Sequence, residues 1–117
     1  MYNWVMMDLR GNIFHIGAES WSEEEQTLWV KRGVRIERVV SWGQVSPPGF
    51  WYDQDEDEWV ALLEGRAELE YESGGRTSLS KGDWLLIPAG RRHRVAFTSK
   101  DPACVWLAVF VRQGGVA

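Results

Sequence analysis

Polar and apolar residues alternate over short runs in this chain, a pattern typical of β-strands that bury one face. In the clearest run, apolar residues stand at positions 67, 69 and 71 and glutamates at 68, 70 and 72. Further strand-like runs cover residues 35–42, 58–64, 76–79, 84–87, 92–98 and 104–111. Short strands that repeat every 8–12 residues or so, with turn residues between them, predict a β-sandwich or a barrel.

Two details of this pattern bear on how the strands connect. Gly65-Arg66 stands between two strand-like runs and is predicted to form a two-residue hairpin turn, because glycine adopts the positive φ that such a turn needs. In the run 92–98, strict alternation puts His93, Val95 and Phe97 on one face. We therefore expect the imidazole to point into the core beside two apolar side chains.

The first third of the chain has a weaker pattern. Residues 22–26 would cap a short helical turn, or residues 1–33 would add edge strands, for example over residues 12–16. We divide the chain into an N-terminal extension that packs on the barrel (1–33), the barrel itself (34–112) and a tail (113–117). The predicted fold class is all-β.

Composition and charge limit the possible functions. A chain of 117 residues has the length of one domain, and its eight tryptophans can fill a core or line a cavity. The net charge of −4 argues against nucleic acid as a main partner, because that partner needs a basic face. The single cysteine allows no internal disulfide, and we find no signal peptide and no run that could span a bilayer. We therefore expect a cytoplasmic protein with no membrane partner.

The most informative segment, residues 82–93, combines a turn glycine, an apolar run, a Pro-x-Gly corner and a histidine. Five residues separate Gly82 from Pro88, one separates Pro88 from Gly90, and two separate Gly90 from His93. Proline ends a strand and glycine allows a sharp corner, so the histidine begins the next strand facing inward.

This segment resembles the second sequence motif of the cupin family, small β-barrels that often hold one metal ion. Six residues separate Glu58 from Gly65, as in the first cupin motif. The departures are the two histidines of the first motif, which fall on Tyr52 and Gln54 or on Trp51 and Asp53, and the asparagine of the second, which falls on Phe97. The resemblance covers roughly residues 34–112. It implies a cupin-like double-stranded β-helix (jelly-roll) barrel of the small, single-domain cupin 2 or RmlC-like type.

The resemblance also bears on metal binding. A typical cupin uses three histidines and one glutamate as ligands, and here only Glu58 and His93 survive. Asp53, or Gln54 through its carbonyl oxygen, would supply a third ligand for one Mn, Fe, Zn or Ni ion. The alternative is a metal-free cavity in which Glu58 and His93 form a hydrogen-bonded pair, since an inward carboxylate needs a partner or a proton.

The segment before Glu58 is expected to form one wall of the pocket, and its aromatic residues suit a small organic ligand. The predicted pocket residues are Trp51, Tyr52, Gln54, Glu58, Trp59 and His93. Arginines flank the histidine at positions 91, 92 and 94. We therefore expect an anionic or sugar-like ligand.

Two functions follow from this reading, and the sequence leaves open whether the protein is an enzyme. In the first, the barrel binds a small organic ligand whose polar group is fixed by Glu58 and His93. In the second, it is a metal-dependent dioxygenase, isomerase or lyase in which Tyr52 acts as an acid or hydrogen-bond donor. A metal-free sugar epimerase is disfavoured because no pair of a histidine base and a tyrosine acid is evident. The resemblance also implies a homodimer.

Overall fold

The computed structural model of the protein describes residues 9–112, and these residues form eight β-strands. They are β1 (Glu24–Lys31), β2 (Val34–Ser41), β3 (Glu56–Glu64), β4 (Ala67–Tyr71), β5 (Arg76–Leu79), β6 (Trp84–Ile87), β7 (His93–Thr98) and β8 (Cys104–Arg112). The described range contains no helix, and so no helix that could cross a membrane. The predicted tail (113–117) and the start of the N-terminal extension (1–8) lie outside the described residues.

The strands form two antiparallel sheets that enclose the core between them. One sheet has five strands in the order β1-β2-β8-β3-β6, and the other has three in the order β5-β4-β7. Strand β8, the last in the chain, pairs with both β2 and β3, so the fold depends on contacts between distant parts of the sequence. The all-β, cupin-like jelly-roll barrel predicted from the sequence is confirmed.

The core is built from the alternate residues that each strand turns inward. On β4 the apolar residues Ala67, Leu69 and Tyr71 are buried, and the glutamates between them are partly exposed. On β8 the side chains that face the core are those of alternate residues: Cys104, Trp106, Ala108 and Phe110. Full burial of a large apolar side chain stabilises the fold by about 1.5–3 kcal/mol, so this interior holds the two sheets together.

The turn at Gly65-Arg66 is a corner between the two sheets, so the predicted hairpin is wrong. Strand β3 pairs with β6 and β8, whereas β4 pairs with β5 and β7. Gly65 has a φ of +90°, and a Cβ at this position would lie 2.9 Å from the backbone oxygen of Ala103 and from the Cα and Sγ of Cys104. The chain therefore turns from one sheet to the other with its backbone pressed against the start of β8.

The alternation on β7 is broken by a β-bulge. Glu68 pairs with Phe97 and Leu69 pairs with Val95, so Ala96 is an extra residue on β7. An extra residue reverses the facing of the residues that follow it. His93 and Val95 face the interior as predicted, but Phe97 is 38% exposed, and its predicted inward orientation is wrong.

The N-terminal part of the described chain adds a strand to the edge of the larger sheet. Residues 24–31 form β1 and pair along β2, so of the two predicted alternatives the edge strand is confirmed and the helical turn at 22–26 is wrong. Residues 12–16 form no strand. The carbonyls of Ile13 and His15 instead accept hydrogen bonds from the guanidinium of Arg38, which is buried and also paired with Glu24 at 3.0 Å.

Candidate functional site

A cavity of about 120 Å³ lies between the two sheets, with walls from both. Its apolar lining comes from inward residues of β2, β3, β4, β6, β7 and β8: Val39, Val60, Leu69, Ile87, Val95, Trp106, Ala108 and Phe110. Its polar lining is formed by Glu23, Glu25, Glu37, Tyr52, Gln54, Glu58 and His93. A mostly apolar wall with a few convergent polar groups is typical of small-molecule sites.

His93 is the first residue of β7, three positions after Gly90 of the Pro-x-Gly corner, and its side chain is only 5% exposed. Its Nδ1 lies 2.9 Å from the backbone carbonyl oxygen of Arg91. A carbonyl can only accept a hydrogen bond, so Nδ1 carries the proton and donates it. In the neutral ring, Nε2 is then the acceptor, and it faces the cavity.

Glu58 reaches the cavity from β3, and its side chain is 14% exposed. One carboxylate oxygen, Oε1, accepts a hydrogen bond from the side-chain amide of Gln54 at 3.1 Å. The same oxygen lies 3.8 Å from Nε2 of His93, which is beyond hydrogen-bond distance. Burial raises the pKa of Glu58, and this effect outweighs the opposing influence of the Gln54 hydrogen bond and of His93.

Tyr52 is held against His93 by backbone and ring contacts. The amide of Tyr52 donates to the carbonyl of His93 at 2.7 Å, and the amide of His93 donates back at 3.2 Å. The two rings are stacked, with centroids 5.3 Å apart and planes 25° apart. Burial raises the pKa of the Tyr52 hydroxyl, and the carboxylates of Glu23, Glu25 and Glu58 raise it further. The phenol therefore stays protonated at neutral pH.

Glutamates at positions 23, 25 and 37 complete the polar lining. Glu37 faces inward from β2 and accepts a hydrogen bond from Nε of Arg35 at 2.7 Å. Glu23 accepts one from the Ser41 hydroxyl at 2.8 Å, and that hydroxyl in turn accepts one from the indole N–H of Trp106 at 3.2 Å. Burial is the main cause of a raised pKa at Glu23.

Comparison with known proteins identifies the family. A family model described as "Cupin domain" matches residues 39–110, which is more than half of the chain. The chain belongs to the cupin family. No curated protein sequence matches it.

Solved structures agree with this assignment. A crystal structure from Ralstonia eutropha JMP134, provisionally named as a mannose-6-phosphate isomerase, is 43% identical, with a TM-score of 0.84; the match covers 89% of this chain and 98% of that one. A cupin superfamily protein from Desulfitobacterium hafniense DCB-2 is 17% identical over 84% of each chain, with a TM-score of 0.71. An RmlC-like cupin from Shewanella frigidimarina NCIMB 400 is 14% identical over 78% of this chain and 77% of that one, with a TM-score of 0.64. The last two are similar in fold alone.

Four of the six pocket residues predicted from the sequence line the cavity of this cupin: Tyr52, Gln54, Glu58 and His93. Trp59 does not, because it stands between two inward residues of β3 and therefore points to the outer face. There its ring lies 5.9 Å from that of Trp84. Trp51 is half-buried but is not part of the lining. The aromatic wall is instead supplied by Tyr52, Trp106 and Phe110.

The three arginines that flank the histidine do not reach the cavity. Each has a partner elsewhere: Arg91 lies 3.7 Å from the ring centre of Tyr71, Arg92 is 3.3 Å from Glu72, and Arg94 is 3.1 Å from Glu70. The lining residues not predicted from the sequence include Glu23, Glu25, Glu37 and Trp106. Strict alternation within residues 104–111 would have placed Trp106 inside. The position of Glu23 and Glu25 at the cavity, in contrast, depends on the pairing of β1 with β2.

The residues present do not fit the metal site of the family. Within residues 9–112, no three histidine, cysteine, aspartate or glutamate side chains are arranged so that they could hold a metal ion. Asp53, the predicted third ligand, lies at a separate surface hollow with Gln54, Asp55, Ala89 and Gly90. Gln54 turns its amide N–H, rather than its carbonyl oxygen, toward Glu58. The structure therefore does not bring the predicted ligand set together.

Proposed function

We propose that this cupin binds a small organic ligand in the barrel cavity, with Glu58, Gln54, His93 and Tyr52 as its polar anchors. One observation carries the proposal. Nε2 of His93 faces the cavity, and none of the described residues donates or accepts a hydrogen bond there. A nitrogen that is free to accept a hydrogen bond, on the wall of a mostly apolar cavity, is typical of the polar groups that fix a small ligand.

The size of the cavity limits the ligand. An apolar cavity of about 150 Å³ holds one benzene molecule, so a cavity of about 120 Å³ takes about five non-hydrogen atoms. A hydroxyl or amino group of the ligand would lie between His93 and Glu58. Its carbon skeleton would contact Trp106 and Phe110. Any larger part of the ligand would extend through the mouth of the barrel.

Selective NMR tests this proposal. Trp106 lines the cavity, and its indole N–H donates to the hydroxyl of Ser41. The indole N–H of Trp21 is a control because this residue is 98% exposed. Both signals in a ¹H–¹⁵N spectrum can be assigned by Trp106→Phe and Trp21→Phe. We expect small alcohols, amines and monosaccharides that bind to shift the Trp106 signal without shifting that of Trp21. A panel that shifts neither signal, and that leaves the melting temperature unchanged, would contradict the proposal.

A second candidate is acid–base catalysis on a sugar without a metal. It is supported by the 43% identity with the protein of Ralstonia eutropha, provisionally named as a mannose-6-phosphate isomerase. The stacked pair of Tyr52 and His93 also supports it. This pair was not evident from the sequence, which is why a metal-free sugar epimerase was disfavoured there. Its His93 is the candidate base of the reaction.

In this candidate reaction, Nε2 of His93 removes the proton from the carbon next to the carbonyl of an open-chain sugar. The protonated carboxyl of Glu58, favoured by its raised pKa, donates a proton to the carbonyl oxygen, and an enediol results. Transfer of this proton from His93 to the former carbonyl carbon, with loss to Glu58 of the proton on the original hydroxyl of the carbon first deprotonated, moves the carbonyl to that carbon and gives the isomer. Mannose and mannose 6-phosphate are the substrates to test. Activity that survives EDTA but is lost in Glu58→Gln and His93→Gln would support the reaction; activity unchanged in both variants would refute it.

A further inference from the structure

The charges around the cavity are strongly one-sided. Four carboxylates line it, from Glu23, Glu25, Glu37 and Glu58. They come from three elements: the start of β1 and the residue before it, β2, and β3. Among the described lining residues there is no lysine and no arginine, and the only basic side chain is that of His93.

Most of this negative charge has no positive partner. Glu37 is paired with Arg35, so its charge is compensated. Glu23 and Glu58 are held by neutral donors, a hydroxyl and an amide. No ion pair within the described residues involves Glu25, which is exposed. Three carboxylates therefore have no lysine or arginine within ion-pair distance among the described residues. Burial raises the pKa of Glu23 and of Glu58, and a cation held beside them would favour their charged forms. The apolar walls of the cavity strengthen that attraction.

A second observation indicates that this cluster belongs to a ligand site. The side chain of His93 is 95% buried, and its Nε2 points into the same cavity with no hydrogen bond from the described residues. The aromatic rings of Tyr52, Trp106 and Phe110 also line this cavity and give it an aromatic wall. Carboxylates with aromatic faces are the combination that proteins use to bind organic cations.

We propose that the cavity selects ligands by charge and that its ligand carries a positively charged nitrogen, as an alkylammonium group does. This inference rests on the proposed binding function and adds the chemical class of the ligand. The ammonium N–H groups would donate to Glu58 and to the carboxylates at the mouth, and the attached carbon chain would contact the aromatic wall. Anionic ligands, which the sequence left open, are repelled by the same field.

Three probes of nearly equal size separate charge from shape: propylammonium, 1-propanol and propionate. We expect the Trp106 indole signal to give a dissociation constant at least tenfold lower for propylammonium than for 1-propanol, and weaker binding still for propionate. Raising the KCl concentration from 20 to 200 mM should weaken binding of propylammonium but not of 1-propanol, because salt screens the charges near the mouth. Equal binding of propylammonium and 1-propanol would overturn the charge preference but leave cavity binding intact. A lack of response to all three would overturn both.

Variants give a matched test. Glu25→Gln removes one exposed carboxylate at the cavity, so we expect it to reduce the preference for propylammonium over 1-propanol by threefold or more. Glu68→Gln is the control, because this glutamate lies on the outer face of β4, paired with Arg76. It should leave the preference unchanged. A Glu25→Gln variant that is folded by circular dichroism yet keeps the full preference would contradict the inference.

Discussion

Replacing Gly65 with alanine should destabilise the barrel more than the same change at a glycine of matched φ. A Cβ at this position would stand 2.9 Å from three heavy atoms, two of them in the backbone of the adjoining Ala103-Cys104 segment. Backbone atoms cannot turn away as the end of a flexible side chain can. The corner between β3 and β4, or the start of β8, must therefore move.

Gly82 is the matched control. Its φ is +92°, against +90° for Gly65, but a Cβ there would meet nothing within 4 Å. Alanine in this conformation costs about 1–2 kcal/mol, and both variants share that term. Overpacking adds about 1–3 kcal/mol at Gly65 alone. We therefore expect losses of about 1–2 kcal/mol for Gly82→Ala and about 2–5 kcal/mol for Gly65→Ala.

Urea denaturation followed by tryptophan fluorescence measures the difference. With an m-value of about 2 kcal/mol per M, the extra 1–3 kcal/mol lowers the midpoint by about 0.5–1.5 M beyond the control. The m-value itself should not change, because the extent of surface exposed on unfolding is the same. If both variants lose the same stability, the close approach of the corner to β8 is not a determinant of the fold, and the reasoning is refuted.

Three further predictions test the site and its surroundings. Burial raises the pKa of Glu58 in the folded protein, so the stability that its protonated form contributes is present at low pH and is lost as the pH rises through that pKa. The free energy of unfolding of Glu58→Gln, relative to that of the wild type, should therefore increase between pH 4 and pH 8 by about 1.4 kcal/mol for each unit of the shift. Urea titrations that give the same difference at both pH values would contradict this. Addition of Mn, Fe, Zn or Ni salts should leave the melting temperature within about 1 °C, since a bound ion stabilises the folded state by linkage; a rise that is lost in both Glu58→Gln and His93→Gln would show a metal site. The expected homodimer remains a prediction, and Leu86 tests it because this residue is 53% exposed on the outer face of the larger sheet. Leu86→Lys should convert a dimer to a monomer, as measured by light scattering after size exclusion. An unchanged mass would exclude this face as the dimer interface.

The strands could be predicted from the sequence because their signal is local. Alternation between buried and exposed residues follows from the geometry of a single strand, so the pattern of β4 is already visible in residues 67–72. The partner of a strand is a non-local property, and this is why a hairpin was expected at Gly65. Glycine at a positive φ suits a hairpin and a corner between sheets equally well. Only the crowding against Cys104 distinguishes the two.

The bulge on β7 limited the prediction in a similar way. Alternation correctly placed His93 inward, because this residue begins the strand directly after the corner segment of the motif at residues 82–93. The extra residue at Ala96 could not be inferred, since a bulge depends on the register of β7 against β4. Every residue after it was therefore assigned to the wrong face. Phe97 is the case that matters, because it occupies the position of the motif asparagine.

Errors in the candidate site have two different origins. Adjacent residues on a strand point to opposite faces, so once Glu58 was taken as inward, Trp59 could already have been excluded from the cavity on sequence alone. The glutamates at 23 and 25 were beyond the reach of the sequence. Their run of acidic residues is equally compatible with a helix cap, and their position at the cavity follows from the pairing of β1 with β2.

The replacements in the first motif and the charge of the cavity are two aspects of one change. In a metal-binding cupin, the charge of the ion balances the acidic ligand, and neutral imidazoles complete the coordination shell. Of the residues on which the two imidazole positions can fall, Tyr52 and Gln54 line the cavity, and Gln54 uses its N–H to hold the carboxylate of Glu58. Additional carboxylates on the β1 and β2 side make the lining acidic, while residues 9–112 provide no group of three histidine, cysteine, aspartate or glutamate side chains that could hold an ion. Charge balance then depends on the ligand, which is why a positively charged organic group fits this interior better than a phosphate or a carboxylate.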